Sequence, residues 1–321
     1  VLVNGSFNAR SVDTVKTRVN ARALVLDDGR ERLALVVADS CMMPRDLLDE
    51  AKQLAAKRTQ IRPDRMLISA THSHSAPSCM GALGTDADPN YVPLLREKLA
   101  EAIAAAEANL EPARVGFAKA NAADFTAVRR WIYRPDRVQE DPFGNRTVRA
   151  TMHAATKTLD DVTGPSGPED PDLSLIAIQS RAGRPLAVLA NFSMHYFGGE
   201  QGLSADYFGL FCEGLKARLA PESTPPFVGI LSHNCSGDIW RRDYWKPASE
   251  YEKWTIQAFA DGLLDIAVGA LGGTAYQDDV DLAMAETRLP LRYRVPDAQR
   301  IAWAQRIVDA MGDRLPQERF E

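Results

Sequence analysis

Two separate stretches of the sequence repeat one order of elements: a short apolar strand, a helix, and a second apolar strand. In the first stretch, residues 33–38 (LALVVA) and 66–70 predict strands, and the apolar positions after Pro44 predict a helix between them. In the second, residues 186–190 and 227–231 predict the strands. A strand–helix–strand unit implies a parallel strand pair with a right-handed crossover. The sequence therefore predicts an α/β fold with one or more central, mainly parallel or mixed β-sheets flanked by helices, in two βαβ-containing halves.

Further elements are predicted outside these pairs of strands. Residues 129–171 are rich in proline and glycine and are interpreted as mostly loop. The remaining predicted elements are helices over residues 91–110, 204–220 and 249–271 and from residue 296, and strands over residues 115–118 and 280–293.

No linker separates independent domains, so residues 1–321 are predicted to form a single α/β domain. The chain begins at Val1 without a methionine, and we expect it to be truncated relative to a longer protein.

The composition excludes several classes of protein. The 321 residues are 45% hydrophobic and 25% charged, which is typical of a globular chain and not of a disordered one. With 38 basic against 43 acidic residues, the formal net charge of −5 argues against a general nucleic-acid binder. No apolar run approaches the roughly 20 residues of a transmembrane helix. The four cysteines have neither CxxC nor disulfide-framework spacing. We therefore expect a small-molecule substrate as partner.

Polar residues follow all four of these strands at their carboxyl ends. They are Asp39-Ser40, the segment 72–74, the segment 191–195 and the segment 233–238. In open α/β sheets, ligands bind beyond the carboxyl ends of the strands. The sequence therefore predicts a functional site built from these four segments.

Three histidines stand out in this pattern. His72 and His74 end one strand, and His195 ends the equivalent strand of the second half. Histidine is a frequent zinc ligand, and alternate residues of an extended segment project to opposite sides, so one imidazole can bind a metal while its neighbour faces substrate. The alternative is a set of hydrogen-bonded structural histidines. His153 has no partner at a suitable spacing and is given no role, and His233 is ambiguous.

The segment 233–238 (HNCSGD) also allows a nucleophile. Ser236 or Cys235 could attack a carbonyl with His233 as the base. The GxSxG spacing of hydrolase nucleophile turns is absent, however. Asp238 can equally be a turn or capping residue.

Two stretches combine arginines with aromatic residues, RRWIYR from Arg129 and WRRDYW from Trp240. One such stretch is often a solvated surface. Two of them favour walls for a substrate, because guanidinium groups bind carboxylate or phosphate and indole faces stack on sugar rings. A polar, acyl-amide or sugar-containing substrate is therefore predicted. The predicted substrate-binding residues are Arg130, Trp131, Trp240 and Arg241.

The strings ISATHSHSAPS, LANFSMHYF, LSADYFG and NCSGD resemble, in this order, the neutral/alkaline ceramidase N-terminal (catalytic) domain family, as in a divergent bacterial member. The resemblance covers most of the chain from Leu33 to Asp238. It implies that His72 and His195 hold a zinc ion and that His74 faces the substrate. A family arginine matches Arg129, although Val128 precedes it here in place of asparagine.

Two departures from the family pattern matter. The ceramidases follow Gly-Asp with x-Ser-Pro, and that serine is implicated in their catalysis, whereas Ile239-Trp240 follow Gly237-Asp238 here. The family's remaining zinc ligands, a glutamate and a tyrosine, are expected beyond Glu321. A ceramidase-like amide hydrolase is therefore expected, but not a true ceramidase.

The predicted function is a zinc-dependent hydrolase that cleaves an amide or related acyl bond by metal-activated water. His72 and His195 are the predicted ligands, and His74, Asp238 and Arg129 the predicted catalytic residues. The residues predicted to orient them are Asp39 and Asn234. Two alternatives remain open: a serine or cysteine hydrolase that uses Ser236 or Cys235, and a non-catalytic binding protein on a degenerate hydrolase scaffold. A secreted or periplasmic location is expected.

Overall fold

The computed structural model describes residues 1–152, 156–223, 225, 227–251 and 254–317, so His153 lies outside the described residues. The fold is mixed α/β, as predicted. The strands are β1 (Ala21–Asp27), β2 (Arg32–Ala38), β3 (Met66–Ala70), β4 (Ala113–Asn121), β5 (Ala127–Val128), β6 (Arg130–Tyr133), β7 (Gln139–Glu140), β8 (Arg146–Val148), β9 (Ala150–Met152), β10 (Val162–Pro165), β11 (Asp172–Ser180), β12 (Pro185–Phe192), β13 (Val228–His233), β14 (Ile239–Trp240) and β15 (Tyr276–Gln277). The helices are α1 (Arg45–Ala56), α2 (Tyr91–Ala108), α3 (Asp206–Leu219), α4 (Ala248–Tyr251), α5 (Ile256–Leu271) and α6 (Ala298–Met311).

The chain divides into two compact units. Unit 1 contains Val1–Glu111, Gly199–Ala205 and Asp279–Glu321, and unit 2 contains Pro112–Gly198 and Asp206–Asp278. The single domain over residues 1–321 stays a prediction. Across the described residues, no helix combines the length and the apolarity that crossing a bilayer requires.

In unit 1 the first predicted strand–helix–strand unit is confirmed. Strand β2 pairs antiparallel with β1 and parallel with β3, in a register that places Ala38 opposite Ala70. Helix α1 starts after Pro44 and buries Leu47, Ala51 and Ala55, which lie on one face because they are spaced by four residues. The parallel register matters for the site, because it brings the residues after Ala38 and those after Ala70 to the same edge of the sheet.

In unit 2 the second strand–helix–strand unit is confirmed as well. Strand β12 pairs parallel with β13, with Phe192 opposite His233, in a sheet of order β13-β12-β11-β4-β15. Helices α3 and α5 contribute the aromatic residues Phe208, Phe211 and Phe259 to the same core. The parallel pair places the segments after β12 and β13 at the same edge of the sheet.

Three predicted elements are corrected. Residues 280–293 form no strand: Leu289, Leu291 and Tyr293 are 74, 86 and 97% exposed, so their alternation faces solvent instead of a sheet partner. The stretch 129–171 is less of a loop than predicted, because β6, β9 and β10 form a small sheet there and β7 pairs with β8. The single helix over residues 249–271 is two helices, α4 and α5, and the Thr255 hydroxyl caps the second by accepting from the Ala258 N–H.

Candidate functional site

Unit 1 brings three potential metal ligands together at the carboxyl edge of β2 and β3. They are Cys41, His72 and His74, and one ligand atom of each lies within 4.8 Å of the others. The backbone causes this meeting, because the Thr71 N–H donates to the Ala38 carbonyl at 3.0 Å and the Ser73 N–H to the Ser40 carbonyl at 3.1 Å. The parallel pairing of the strands thus continues into the polar segments that follow them.

The hydrogen bonds of His72 determine which of its nitrogens is basic. Its Nδ1 lies 2.7 Å from the Cys41 carbonyl oxygen, and since a carbonyl can only accept, Nδ1 carries the proton. In the neutral ring, Nε2 then presents its lone pair, 3.0 Å from the Nε2 of His74. His72 also has a φ of 68°, a left-handed conformation that costs a non-glycine residue free energy and is concentrated at functional sites.

The backbone around His74 is closely packed. Arg10 Nη2 donates to the His74 carbonyl at 2.6 Å, and the hydroxyl of Ser73 donates to the Ser204 carbonyl at 2.8 Å. Gly5, at a φ of +99°, lies against the His74 ring, so a Cβ at this position would come within 2.5 Å of His74 Cγ. The imidazole is therefore held in place by a position that only glycine can occupy without rearrangement.

Cys41 was not singled out by the sequence as a site residue. Its side chain is buried, and its Sγ lies 3.9 Å from His72 Nδ1. Burial raises the pKa of the Cys41 thiol to about 12, and the nearby Cys79 adds to the rise. As a ligand this thiol would bind as thiolate, and its proton would be released to solvent.

Asp39, predicted to orient the site, lies in a buried ion pair. Arg22 Nη1 donates to its Oδ2 at 2.7 Å, and the Asn20 N–H donates to the same oxygen at 2.9 Å. These bonds tie the residue after β2 to β1 and to the segment before it. An orienting role toward the histidines stays a prediction.

Unit 2 contains a second group of polar residues, in which a hydroxyl lies between two imidazoles. Ser236 Oγ is 2.5 Å from His233 Nε2 and 3.2 Å from His195 Nδ1. A hydroxyl has one proton, so in the neutral arrangement it donates to one ring and accepts from the other. His195 and Ser236 are both buried. The geometry fits a relay in which His195 Nδ1–H donates to Ser236 and Ser236 donates to His233.

Arg129 stabilises the loop that carries Ser236 through hydrogen bonds to its backbone. Its guanidinium donates to the Gly237 carbonyl through Nη2 at 2.8 Å and through Nε at 3.3 Å, and its backbone N–H donates to the Asp238 carbonyl at 2.8 Å. Burial lowers the pKa of Arg129. The side chain of Asp238 is half-buried, and the catalytic roles predicted for these two residues stay predictions.

Trp240 and Arg241 lie together with Arg129. The guanidinium carbon of Arg129 is 5.5 Å from the centre of the Trp240 ring, and that of Arg241 is 4.8 Å from it. Arg241 also lies over the Phe197 ring at 4.0 Å and donates to the Phe197 carbonyl. Burial lowers the pKa of Arg241 to about 10, and the adjacent Arg242 contributes. The structure thus groups three of the residues predicted to catalyse or to bind substrate.

The other predicted residues of this unit are placed differently. Arg130 is exposed, whereas the neighbouring Trp131 is buried, because successive residues of β6 face opposite sides. Trp131 Nε1 donates to the Val128 carbonyl at 3.0 Å, so this indole is part of a small core. Asn234 Nδ2 donates to Asp170 Oδ2 at 3.1 Å, and Cys235 is an exposed free thiol. Substrate binding by Arg130 and Trp131 stays a prediction.

A second residue that the sequence did not single out is Asp206, at the start of α3. Its carboxylate is fully buried at a φ of 54° and accepts the N–H groups of Phe197 and Tyr207 at 2.7 Å and of Gly198 at 3.0 Å. Burial raises the pKa of Asp206, and the three N–H groups act in the opposite direction. The string LSADYFG contains this residue, but only the fold shows that it holds the segment after His195.

The sequence matches no protein-family model. Among solved structures, the chain is similar to the neutral ceramidase from Pseudomonas aeruginosa, with a TM-score of 0.61 and 16% identity over 85% of this chain and 42% of that chain. It is also similar to a ceramidase complexed with C2, with a TM-score of 0.57 and 15% identity over 79% of this chain and 38% of that chain. The chain thus matches less than half the length of each ceramidase, and at these identities the likeness is one of fold.

Proposed function

We propose that this chain is a divergent member of the neutral ceramidase family and a zinc-dependent hydrolase of an amide or related acyl bond. The observation that carries the proposal is the meeting of Cys41, His72 and His74 at the carboxyl edge of a parallel strand pair. Open α/β sheets bind their ligands at this edge, and a zinc ion held there would supply activated water for hydrolysis. The ceramidase-like fold supports the same class of reaction.

The residues present fit a zinc ion. The hydrogen bond from His72 Nδ1 to the Cys41 carbonyl leaves Nε2 as the ligating atom, and a backbone carbonyl is a common partner for the second nitrogen of a zinc-bound histidine. When bound, zinc polarises a carbonyl oxygen and lowers the pKa of a coordinated water to roughly 7. The resemblance implies that His195 shares the ion with His72; within unit 2, the Nδ1 of His195 lies 3.2 Å from Ser236 Oγ. That shared ligation stays a prediction.

The chain's own residues would bind and orient the substrate. Arg129 and Arg241 are cations packed around Trp240, although each already donates to a backbone carbonyl. Partly satisfied guanidinium groups beside an indole favour a polar or acidic acyl amide, or an N-acylated sugar, over two long alkyl chains. The serine that the ceramidases carry after Gly-Asp is replaced here by Trp240, which also favours a substrate other than ceramide.

The proposal is tested by metal content and chelator sensitivity together. We expect the purified chain to hold close to one equivalent of zinc and to hydrolyse short N-acyl amino acids or N-acyl amino sugars. A chelator should abolish this activity and added zinc should restore it, whereas His72→Ala should lack both metal and activity. Less than about a tenth of an equivalent of metal in the wild type, with no activity on adding zinc, would rule the proposal out.

A second candidate function is a serine hydrolase centred on Ser236. Its support is the 2.5 Å contact between Ser236 Oγ and His233 Nε2, a nucleophile–base distance. In this case a fluorophosphonate probe should label Ser236, and a chelator should leave the activity intact. Hydrolysis that Ser236→Ala retains and a chelator abolishes would exclude this candidate.

A further inference from the structure

The N-terminal segment of unit 1 folds back on itself beside His74. Residues 2–11, here called the N-terminal hairpin, are closed by the Val3 N–H, which donates to the Arg10 carbonyl at 3.0 Å. A bridge between Val3 and Pro77 joins the hairpin to the segment that follows His74. The hairpin therefore places residues from the start of the chain at the edge of the candidate site.

Arg10 brings a positive charge to this edge. Its Nη2 donates to the His74 carbonyl at 2.6 Å, so the guanidinium lies at the backbone of the histidine that the resemblance places on the substrate side. The side chain is half-buried, and among the described residues no carboxylate forms an ion pair with it. The protein thus brings a cation to the site without neutralising it.

The Arg10 guanidinium also has unused hydrogen-bonding capacity. Nε is buried without an acceptor, and Nη1 has no hydrogen-bond partner in the part of the chain that the structure describes. A guanidinium offers five N–H donors, and a half-buried cation with few acceptors is destabilising unless an anion compensates it. The missing compensation points to an anionic ligand.

We propose that Arg10 is a substrate-binding residue that recognises a carboxylate on the acyl-amide substrate, through Nη1 and the second N–H of Nη2. Two parallel N–H groups of a guanidinium match the two oxygens of a carboxylate. This inference rests on the proposed function, because it names the charge of the substrate and a residue that binds it. The resemblance assigns the arginine of the site to Arg129 in unit 2, whereas Arg10 lies in unit 1 next to His74.

The backbone of the hairpin is already fixed without the Arg10 side chain. The Ser78 N–H donates to the Leu2 carbonyl at 2.8 Å, and the Leu2 N–H donates to Asp88 Oδ2 at 3.1 Å. A guanidinium is therefore not needed to attach the hairpin to the rest of unit 1. This favours a role in ligand binding over a purely structural one.

The test compares a carboxylate ligand with its uncharged analogue. N-hexanoylglycine and N-hexanoylglycinamide differ at one terminal group, and titration calorimetry on the purified chain measures the affinity of each without requiring turnover. We expect the wild type to bind the acid more tightly than the amide. Arg10→Gln should lower the ratio of acid affinity to amide affinity at least about tenfold and leave the amide affinity within about threefold of the wild type.

Two further variants complete the test. Arg18→Gln is the matched control, because Arg18 is an exposed arginine close to the hairpin in sequence, and it should keep the wild-type ratio. Arg10→Lys keeps the charge but cannot bond both carboxylate oxygens side by side, so it should lower the ratio about threefold. This variant carries the test if circular dichroism shows that Arg10→Gln is unfolded. Zinc content is measured for every variant, because bound zinc would itself favour a carboxylate.

Three results would overturn the inference. The first is a wild-type ratio in folded Arg10→Gln, or in Arg10→Lys where that variant carries the test. The second is an equal loss of affinity for the acid and the amide, which is expected of a residue that only holds the His74 backbone. The third is a wild type that binds neither compound.

The outcomes separate this inference from the proposed function. A wild type that prefers the acid through Arg10 but shows neither metal nor hydrolysis would overturn the proposed function alone. Chelator-sensitive hydrolysis with an affinity ratio independent of Arg10 would overturn this inference alone. A wild type that binds neither compound, holds no metal and hydrolyses no amide would overturn both.

Discussion

Gly5 shows how one residue without a side chain can control a site. At a φ of +99° it occupies a backbone region that favours glycine, and the His74 ring fills the space where a Cβ would lie. Gly29 offers a comparison within the same unit, because it has a φ of +82° but no atom within 4 Å of its Cβ position. The two positions share the backbone penalty and differ in the contact with His74.

We predict that Gly5→Ala damages the site and that Gly29→Ala does not. Gly29→Ala should lower the free energy of unfolding by about 1 kcal/mol through its backbone alone. Gly5→Ala should lower it by about 2–4 kcal/mol, because overpacking adds to the backbone term, and it should lower turnover at least tenfold by displacing His74. Urea unfolding and hydrolysis assays of both variants check this. Equal activities would show that the His74 position is irrelevant to catalysis.

The histidine and arginine side chains of the site differ in their hydrogen-bond partners. Hydrogen bonds fix the protonated nitrogen of His72 and place Ser236 between two rings. Arg129 and Arg241, in contrast, direct part of their hydrogen bonding to backbone carbonyls. These two guanidinium groups, predicted to contact substrate, therefore also stabilise backbone segments: Arg129 the loop at Gly237, and Arg241 the segment after His195.

At the scale of elements, Asp88 anchors the start of α2. Its carboxylate accepts the N–H groups of Leu2 at 3.1 Å, Asn90 at 3.0 Å and Tyr91 at 3.3 Å. These bonds, that of Leu2 foremost, hold the pKa of Asp88 below its ordinary value. One carboxylate thereby joins the N-terminal segment to the helix.

This lowered pKa predicts an acid-sensitive contribution to stability. A folded-state pKa below the unfolded one means that the stabilisation is present above the unfolded value of about 4 and is lost as the pH falls through the folded value. Asp88→Asn should therefore be less stable than the wild type at pH 7, and the difference should shrink as the pH is lowered below about 4. Urea unfolding across this range measures it. A difference that stays constant with pH would contradict the role of the carboxylate.

At the scale of the whole molecule, a metal that binds the folded chain should stabilise it. Ligand that binds only the native state adds RT ln(1 + [L]/Kd) to the free energy of unfolding, or about 2.7 kcal/mol at a hundredfold excess over Kd. We therefore predict that a chelator lowers the thermal midpoint of the wild type and that added zinc restores it. The His72→Ala midpoint should respond to neither, and calorimetry measures all three. A wild-type midpoint that zinc does not change would contradict a site in the folded chain.

Much of the fold follows from the sequence because its signals are local. Two apolar runs with a helical pattern between them predicted β2, α1 and β3, and a second such set predicted β12, α3 and β13. The parallel pairing of β2 with β3 and of β12 with β13 is confirmed. The polar residues at the strand ends could also be identified from the sequence, because an apolar run that ends at a histidine is a feature of adjacent residues. The sequence by itself thus determined the two strand–helix–strand units and drew attention to His72, His74 and His195.

Only the tertiary structure decided which side chains meet. Cys41 became a site residue because the β2–β3 register continues into the bond between Ser73 and Ser40, a pairing between residues far apart in the chain. Residues 280–293 alternate like a strand, yet no sheet face covers them, and alternation alone does not supply a partner. Periodicity is a property of neighbouring residues, whereas register, burial and hydrogen-bond partners depend on distant segments that pack together only in the folded chain.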